Sequence, residues 1–532
     1  MSNTFFDWKA ALKGTSDEQV LDSMTSEQIE DAFSGNISFG TGGLRGIMGL
    51  GTNRINRYTI ERVTLGLIKV VLASDAPKSV GVAFDTRHNS AEFAEIVCKT
   101  LGSYGIEVYS FDKPMPTPAL SHAIRLLGLG WGVVLTASHN PQEYNGYKVY
   151  DRQGVQLTDK MAKAVTESIN TVKFFEPLPD AVHSPVKIFD EEVLNAYLEQ
   201  ITTYVGLDET ASEFPLVYSA LHGAGASAVP VILERMGFSP TCIQLEPDGA
   251  FGGLETPNPE EPIVYVEALT KAINIDAQLL LATDPDCDRV GVMVTAEDSF
   301  KLLNGNQIGA LLIDYLATTK SVKKGDTVIS TIVSGTLGEI ISESYGLDFV
   351  RLLTGFKYIG EHIVNLPKDK HFFFGYEESY GYLAGDGAKD KDAVLASALI
   401  TKMAAFYNTK GMTLFDKWLE LSEKHGYHLE SLYSANISQD QQREIMEKLR
   451  SKISISGVTK LVDYAAGFDG LPPADVIKLF FDDGAWAAIR PSGTEPKLKL
   501  YIGVHSATYE AASKSLKSRT DNLLAEIIAP PK

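Results

Sequence analysis

Along the first three-quarters of the chain, apolar and polar positions repeat one pattern three times: apolar strand, short polar loop, amphipathic helix, second strand. In the first copy KSVGVAFD predicts the strand, TRHNS a loop with capping residues, AEFAEIVCKTLGSYG the helix and IEVYSF the next strand. FPLVYSA, LHGAG, ASAVPVILERMG and TCIQLE make the second copy; DTVISTIV, SGT, LGEIISESYG and LDFVRLL make the third. Each helix ends on a glycine, which suits the left-handed position that closes a helix. Such units predict mostly parallel sheets covered by helices, with ligands gathered at the carboxyl ends of strands.

Toward the C-terminus the period changes. VIKLFF, AWAAIR and KLKLYIGV predict strands separated by Asp-Asp-Gly and Pro-Ser-Gly turns, and TYEAASKSLKSRTDNLLAEII predicts a closing helix. The expected fold is α/β with four domains: three mixed α/β domains of related strand-loop-helix units, then a C-terminal α+β domain. The divisions fall at 1–205, 206–303, 304–427 and 428–532. A chain of 532 residues needs this subdivision, because single cores stop growing at roughly 250–300 residues.

Composition narrows the function. Hydrophobic residues make up 44% and charged residues 22% of the chain, the balance of a globular protein rather than a disordered one. A net charge of −20 repels nucleic acid and anionic membrane as bulk partners. An anionic small substrate must then be met by local Arg, Lys and helix N-termini. Cys98, Cys242 and Cys287 are widely spaced and odd in number, which argues against a disulfide framework or zinc pair and fits a reducing cytoplasm. The opening MSNTFFDWKAALKG lacks a basic region followed by an apolar run, and no stretch approaches the ~18 apolar residues of a membrane span.

Four segments carry candidate chemistry. TASHNPQEYNGYKVY follows the apolar run WGVVL, so Ser138 sits just beyond a strand end beside His139, and Pro and Asn-Gly turns fold the loop back to Lys148. LLLATDPDCDRVGV runs a strand into Asp284, Asp286 and Asp288. Alternate carboxylates in an extended loop can aim at one centre, and an all-oxygen set suits a hard ion such as magnesium better than zinc. Cys287 between them points away. HFFFGYEESYGYLAG places Glu377, Glu378 and Ser379 beyond an apolar strand, either as acceptors for sugar hydroxyls or as a solvated loop tip. In AAIRPSGTEPKLKLY, Arg490, Ser492, Gly493 and Thr494 form a donor-rich turn able to cradle a phosphate dianion, although strand-joining turns share that composition.

Taken together, these segments resemble the α-D-phosphohexomutase superfamily. Thr136 to Pro141 and Asn145 to Lys148 match its phosphoserine loop, Asp284 to Arg289 its metal loop, and Arg490 to Pro496 its phosphate loop. Glu377 and Ser379 map onto its sugar loop, with Tyr376 intervening between Gly375 and Glu377 as a departure from the pattern. FGTGGLRGIMG around Arg45, MPTPAL, LETPNPEEP, TGFKYIGE with Thr354 and Gly355, and the Lys391-Asp392 pair also have counterparts, in chain order.

The resemblance implies that the four domains surround a central cleft, and that Ser138 carries a transferable phosphoryl group and shares one magnesium ion with Asp284, Asp286 and Asp288. It implies charge stabilisation or proton transfer by His139 and Lys148, with Lys391 a further candidate base, and an active-site role for Arg45. Arg289, Thr354, Gly355, Glu377, Ser379, Lys391, Arg490, Ser492, Gly493 and Thr494 become substrate-binding residues. The implied substrate is a sugar phosphate, with a sugar 1,6-bisphosphate as intermediate and activator. The form of FGTGGLRG and the length look most like the phosphoglucomutase and phosphopentomutase branch, which puts glucose 1-phosphate and 6-phosphate first, with phosphomannomutase or phosphopentomutase activity as the alternative. A metal-dependent phosphatase with Asp284 as nucleophile also explains the acidic loop, but leaves Ser138 and Arg490 without a task.

Overall fold

A computed structural model of the chain describes residues 3–40, 43–179, 184–207, 214–297, 299–451, 455–491 and 497–528. The first sheet contains β1 (Gly43–Ile47), β2 (Ser79–Phe84), β3 (Glu107–Ser110), β4 (Trp131–Leu135), β5 (Tyr144–Asp151) and β6 (Val186–Ile188), ordered β1-β5-β4-β2-β3-β6. The second contains β7 (Leu216–Ser219), β8 (Thr241–Ile243), β9 (Leu279–Thr283), β10 (Val290–Ala296) and β11 (Ser299–Leu303), ordered β11-β10-β9-β7-β8. The third contains β12 (Asp326–Thr331), β13 (Asp348–Leu352), β14 (His371–Tyr376) and β15 (Tyr382–Ala384), ordered β13-β12-β14-β15.

The repeated units form the parallel heart of each sheet: β2 beside β3 and β4, β7 beside β8 and β9, β12 beside β13 and β14. Their helices are Ser90–Ser103, Val229–Arg235 and Leu337–Ser344. The glycines beyond them, Gly105, Gly237 and Gly346, have φ of 72°, 96° and 76°, the left-handed closure expected from the sequence.

Parallel pairs predominate in these three sheets as expected, and each sheet is completed by antiparallel strands. β5 returns along β4, β10 along β9 and β15 along β14. Segments 136–143, 284–289 and 377–381 make these connections, too short for the dozen or so residues of a parallel crossover, so the chain folds straight back. All three chemistry-bearing loops of the first three sheets are these returns.

The fourth sheet is antiparallel: β16 (Tyr427–Asn436), β17 (Val458–Asp463), β18 (Ile477–Phe481), β19 (Trp486–Pro491) and β20 (Lys497–Ser506), ordered β16-β20-β19-β18-β17. The last three are the strands predicted from sequence. β16 and β17 were not, because their residues alternate poorly and are mostly half-buried or exposed. Trp486, Ala488 and Tyr501 of this sheet pack on Ile332, Val333 and Leu353 beyond the third, and the buried Lys478 donates to the Ile332 carbonyl at 2.5 Å. Before the first sheet, three short helices (Asn3–Ala11, Ser16–Ser23 and Ser26–Ala32) bury Trp8 among Phe33, Tyr58, Phe174 and Phe175. Among the described residues no helix is long and apolar enough to cross a membrane.

Tyr376, the departure noted in the sugar loop, has a packing explanation. It is fully buried, and a Cβ on Gly309 would lie 2.5 Å from its ring, while one on Gly338 would lie 2.3 Å from its hydroxyl oxygen. Two helices are notched to receive it. The ring ends the buried face of β14, and Glu377 is the first residue past it. Gly309→Ala tests the notch: alanine favours a helix by about 1 kcal/mol, but overpacking costs about 1–3 kcal/mol. Net destabilisation is expected, seen as a lower melting temperature; a rise would show that Tyr376 is free to move.

Candidate active site

The three return loops and the end of β19 face one cleft of about 860 Å³. Arg45, His139, Lys148, Arg289, Thr354, Gly355, Glu377, Ser379, Lys391 and Arg490 all line it, so ten residues singled out from sequence come together from four sheets. Ser492, Gly493 and Thr494 lie outside the described residues.

Ser138 is buried between Thr136 and His139, which line the cleft; it is 2% exposed, with φ of 53°. A left-handed backbone at a residue with a side chain costs on the order of 1–3 kcal/mol and persists only where its surroundings enforce it. Here the Ser138 amide donates to the Thr136 hydroxyl at 2.8 Å. Its own hydroxyl donates to Asp284 Oδ2 at 2.6 Å and lies 3.3 Å from His139 Nδ1. Desolvation, then the nearby Arg289 and Arg45 cations, pushes the His139 imidazole well below its ordinary range, so the ring is neutral at physiological pH. Arg45 donates to the Asn140 side chain at 2.7 Å, on a strand paired with β5 so that Arg45 faces Gly146.

The carboxylates behind Ser138 are almost wholly out of water. Asp284 Oδ1 accepts the backbone amides of Asp288 and Arg289 at 3.0 and 2.9 Å. Asp286 Oδ2 accepts Lys148 Nζ at 2.7 Å and the Thr117 hydroxyl at 2.8 Å. Asp288 Oδ2 takes Lys148 at 3.1 Å and Lys391 at 2.9 Å. Burial, then Asp288 and Asp286, drives the Asp284 carboxyl well above its ordinary pKa. For Asp288, burial acts the same way but Lys148 and Lys391 outweigh it, and its pKa falls. Against the lowering effect of burial, Asp286 and Asp288 hold Lys148 above its usual range, and Asp288 and Asp390 do the same for Lys391.

These residues fit a hard cation. One ligand atom from each of Asp284, Asp286 and Asp288 lies within 4.8 Å of the others. Asp286 Oδ1 and Asp288 Oδ1 are buried and make no hydrogen bond among the described residues. Two bare carboxylate oxygens beside a third carboxylate form the all-oxygen donor set that magnesium takes, and the soft thiol of Cys287 packs into the apolar core instead.

The far side of the cleft is built for a polar anion. Glu377 Oε1 accepts the Gly355 amide at 2.8 Å, and burial, then Glu378, raises its pKa. Glu378 also lines the cleft but accepts the Thr331 and Ser334 hydroxyls, both at 3.1 Å, so the two neighbours differ in partners. Gly355 has φ of 122°, a backbone reserved for glycine, and the buried Thr354 hydroxyl makes no hydrogen bond among the described residues. Arg490 faces Lys499 across the β19–β20 ladder, and burial, then Arg490, lowers the Lys499 pKa.

Sequence reasoning missed Lys499, and left Thr117 and Glu260 unnamed inside MPTPAL and LETPNPEEP. Thr117 braces Asp286 through its hydroxyl and through its amide on the Asp286 carbonyl at 2.9 Å. Glu260 holds Arg289 at 2.8 Å. Their signal was position within the quoted segments, but their partners lie far along the chain.

Sequence profiles of phosphoglucomutase/phosphomannomutase match the whole architecture: alpha/beta/alpha domain I over 36–176, domain II over 195–297, domain III over 304–425 and the C-terminal domain over 441–514. The chain belongs to this enzyme family. The phosphoglucomutase of Staphylococcus haemolyticus is 35% identical over 525 residues, covering 93% of this chain and 95% of that protein. Among solved structures, the open form of the phosphoglucomutase pp63/parafusin from Paramecium superposes with a TM-score of 0.73 at 18% identity, covering 94% of this chain and 97% of that one. Aspergillus fumigatus N-acetylphosphoglucosamine mutase, solved with GlcNAc-6P and magnesium, has a TM-score of 0.51 at 14% identity, covering 98% and 99%.

Thr117 offers a test of the metal pocket that leaves all three carboxylates in place. Losing an outer partner of a ligand weakens metal affinity by about 10–100-fold. Thr117→Val should show that loss for Mg²⁺ or Mn²⁺ by titration calorimetry, and an unchanged affinity would separate Thr117 from the metal.

Proposed function

We propose that the chain is a cytoplasmic magnesium-dependent phosphoglucomutase, interconverting glucose 1-phosphate and glucose 6-phosphate through phospho-Ser138 and glucose 1,6-bisphosphate. The observation that carries this reading is the Ser138 hydroxyl, 2.6 Å from Asp284 and next to His139, which lines the same cleft as Arg490. The activity named for the Staphylococcus haemolyticus relative supports glucose as the sugar. We divide the labour at residues 205, 303 and 427: phosphoserine, metal, sugar and distal phosphate loops, one per domain.

Each residue then has a task. Arg490 and Lys499, with Ser492, Gly493 and Thr494, hold the phosphate that is not reacting. Glu377 and Ser379 accept ring hydroxyls, with Thr354 and Gly355 beside them. The free sugar hydroxyl attacks phospho-Ser138; its oxygen bonds to phosphorus as the Ser138 Oγ–P bond breaks, and its proton passes to neutral His139. Lys148, Lys391 and Arg289, kept charged by carboxylates, offset the charge spread over the phosphoryl oxygens. Arg45 fixes the loop through Asn140. Magnesium, held by Asp284, Asp286, Asp288 and a phosphoserine oxygen, supplies further withdrawal of that charge. The bisphosphate then turns over in the cleft and returns its other phosphoryl group to Ser138; added bisphosphate rephosphorylates enzyme that has lost it. A phosphatase with Asp284 as nucleophile would leave Ser138 and Arg490 without a task.

Sugar phosphate labelled in its phosphate should pass label to Ser138 as acid-stable phosphoserine and on to unlabelled sugar. Ser138→Ala should lose transfer while retaining binding, and Asp286→Ala should lose it while remaining folded. Label confined to its original sugar would overturn the assignment.

Arg490→Lys keeps the charge but not the two-pronged fork. The KM for glucose 1-phosphate should rise about tenfold or more, in line with the ~1.5–3 kcal/mol of a charged hydrogen bond. Phosphorylation of Ser138 should continue, and an unchanged KM would remove Arg490 from the phosphate site.

A further inference from the structure

Arg87 lies in the TRHNS loop after β2, a segment read from sequence only as a loop with capping residues. It is 3% exposed and does not itself line the cleft. Its guanidinium spends its donors on one target. Nη2 donates to the carbonyls of Ser138, at 2.5 Å, and of Asn140; Nη1 donates to those of Pro141 at 2.8 Å and Tyr144 at 3.1 Å. Nε faces Asp85 Oδ2 at 3.4 Å, and Asp85 Oδ1 accepts the Arg87 amide and the Ser90 hydroxyl. Four carbonyls of one short loop therefore converge on one buried cation, whose charge is balanced from beneath.

The opposite face of the guanidinium meets the second domain. Its carbon lies 5.0 Å from the centre of the fully buried Phe251 ring, on a segment whose Gly249 presses against His88 of the same TRHNS loop. The loop that carries Ser138 and the domain that carries the three aspartates are thus seated on the same side chain.

We propose that Arg87 is a positioning residue for phosphoryl transfer. Clamped between the Ser138 loop and Phe251, it fixes the left-handed backbone that aims the Ser138 oxygen at the acidic loop. The inference rests on Ser138 as the phosphoryl carrier. A purely structural filler needs only volume and charge, whereas this role needs the planar fork, because the three donors of an ammonium cannot satisfy four diverging carbonyls.

The test uses the full-length enzyme with magnesium and ³²P-labelled glucose 1,6-bisphosphate, following the rate of Ser138 labelling, kcat, KM for glucose 1-phosphate and the folded fraction. In Arg87→Lys, labelling rate and kcat should fall together by roughly 10²-fold, the effect of a misplacement near 1 Å, while KM stays within about twofold because the Arg490 cradle is untouched. If Arg87→Lys does not fold, Phe251→Leu decides, with a smaller fall in labelling and kcat at unchanged KM. Wild-type labelling with normal labelling in the folded variant would overturn the role of Arg87 alone. A matched loss in KM, or loss only in proportion to unfolded protein, would also overturn it. Absence of label on wild-type Ser138 would instead overturn the carrier reading.

Discussion

Three carboxylates on one loop repel each other, and removing them from water takes away the solvent that would dilute the repulsion. Asp284, Asp286 and Asp288 are at most 1% exposed. An uncompensated buried charge costs several kcal/mol, so the arrangement persists only with partners in place. The loop's own sheet supplies Arg289 and backbone amides, but the ammonium groups come from elsewhere: Lys148 from the first sheet and Lys391 from beyond the third. The electrostatic need of one loop thereby fixes how three domains meet, and the cleft is the space left between them.

The topology explains why the chemistry collects there. In each of the first three sheets a parallel strand ends and the chain doubles back antiparallel, and the tight connection carries the functional side chains. A short return is constrained at both ends by ladder hydrogen bonds, so its side chains are held on a rigid base while its tip stays open. Each return also carries a non-glycine residue with positive φ: Ser138, Cys287 and Tyr380.

Contiguity decided what could be read from the sequence. The Ser138, Asp284–Asp288 and Arg490 segments are short runs whose residue types suggest a chemistry before any fold is known, and the three repeated units show in hydrophobic period alone. Strand direction is invisible to period, so the antiparallel returns had to come from the structure, although loop length was a usable signal. β16 and β17, half-exposed and polar, carried little pattern. Thr117 and Arg87 escaped because their partners, Asp286 and Ser138, lie 169 and 51 residues away, a separation that no local spacing encodes. Glu377 and Glu378 were indistinguishable until their partners were seen, the Gly355 amide for one and the Thr331 hydroxyl for the other.

The distribution of cations also has a temporal side. Domains emerge from the ribosome in order, at about 5–20 residues per second. Lys148 is available when the acidic loop is made, but Lys391 follows Asp288 by about 100 residues. During synthesis Asp288 therefore waits several seconds with one of its two ammonium partners, and the second sheet must close around a loop whose charge is only partly balanced. Of the ammonium groups that meet Asp288 in the finished fold, only Lys148 precedes it in the chain.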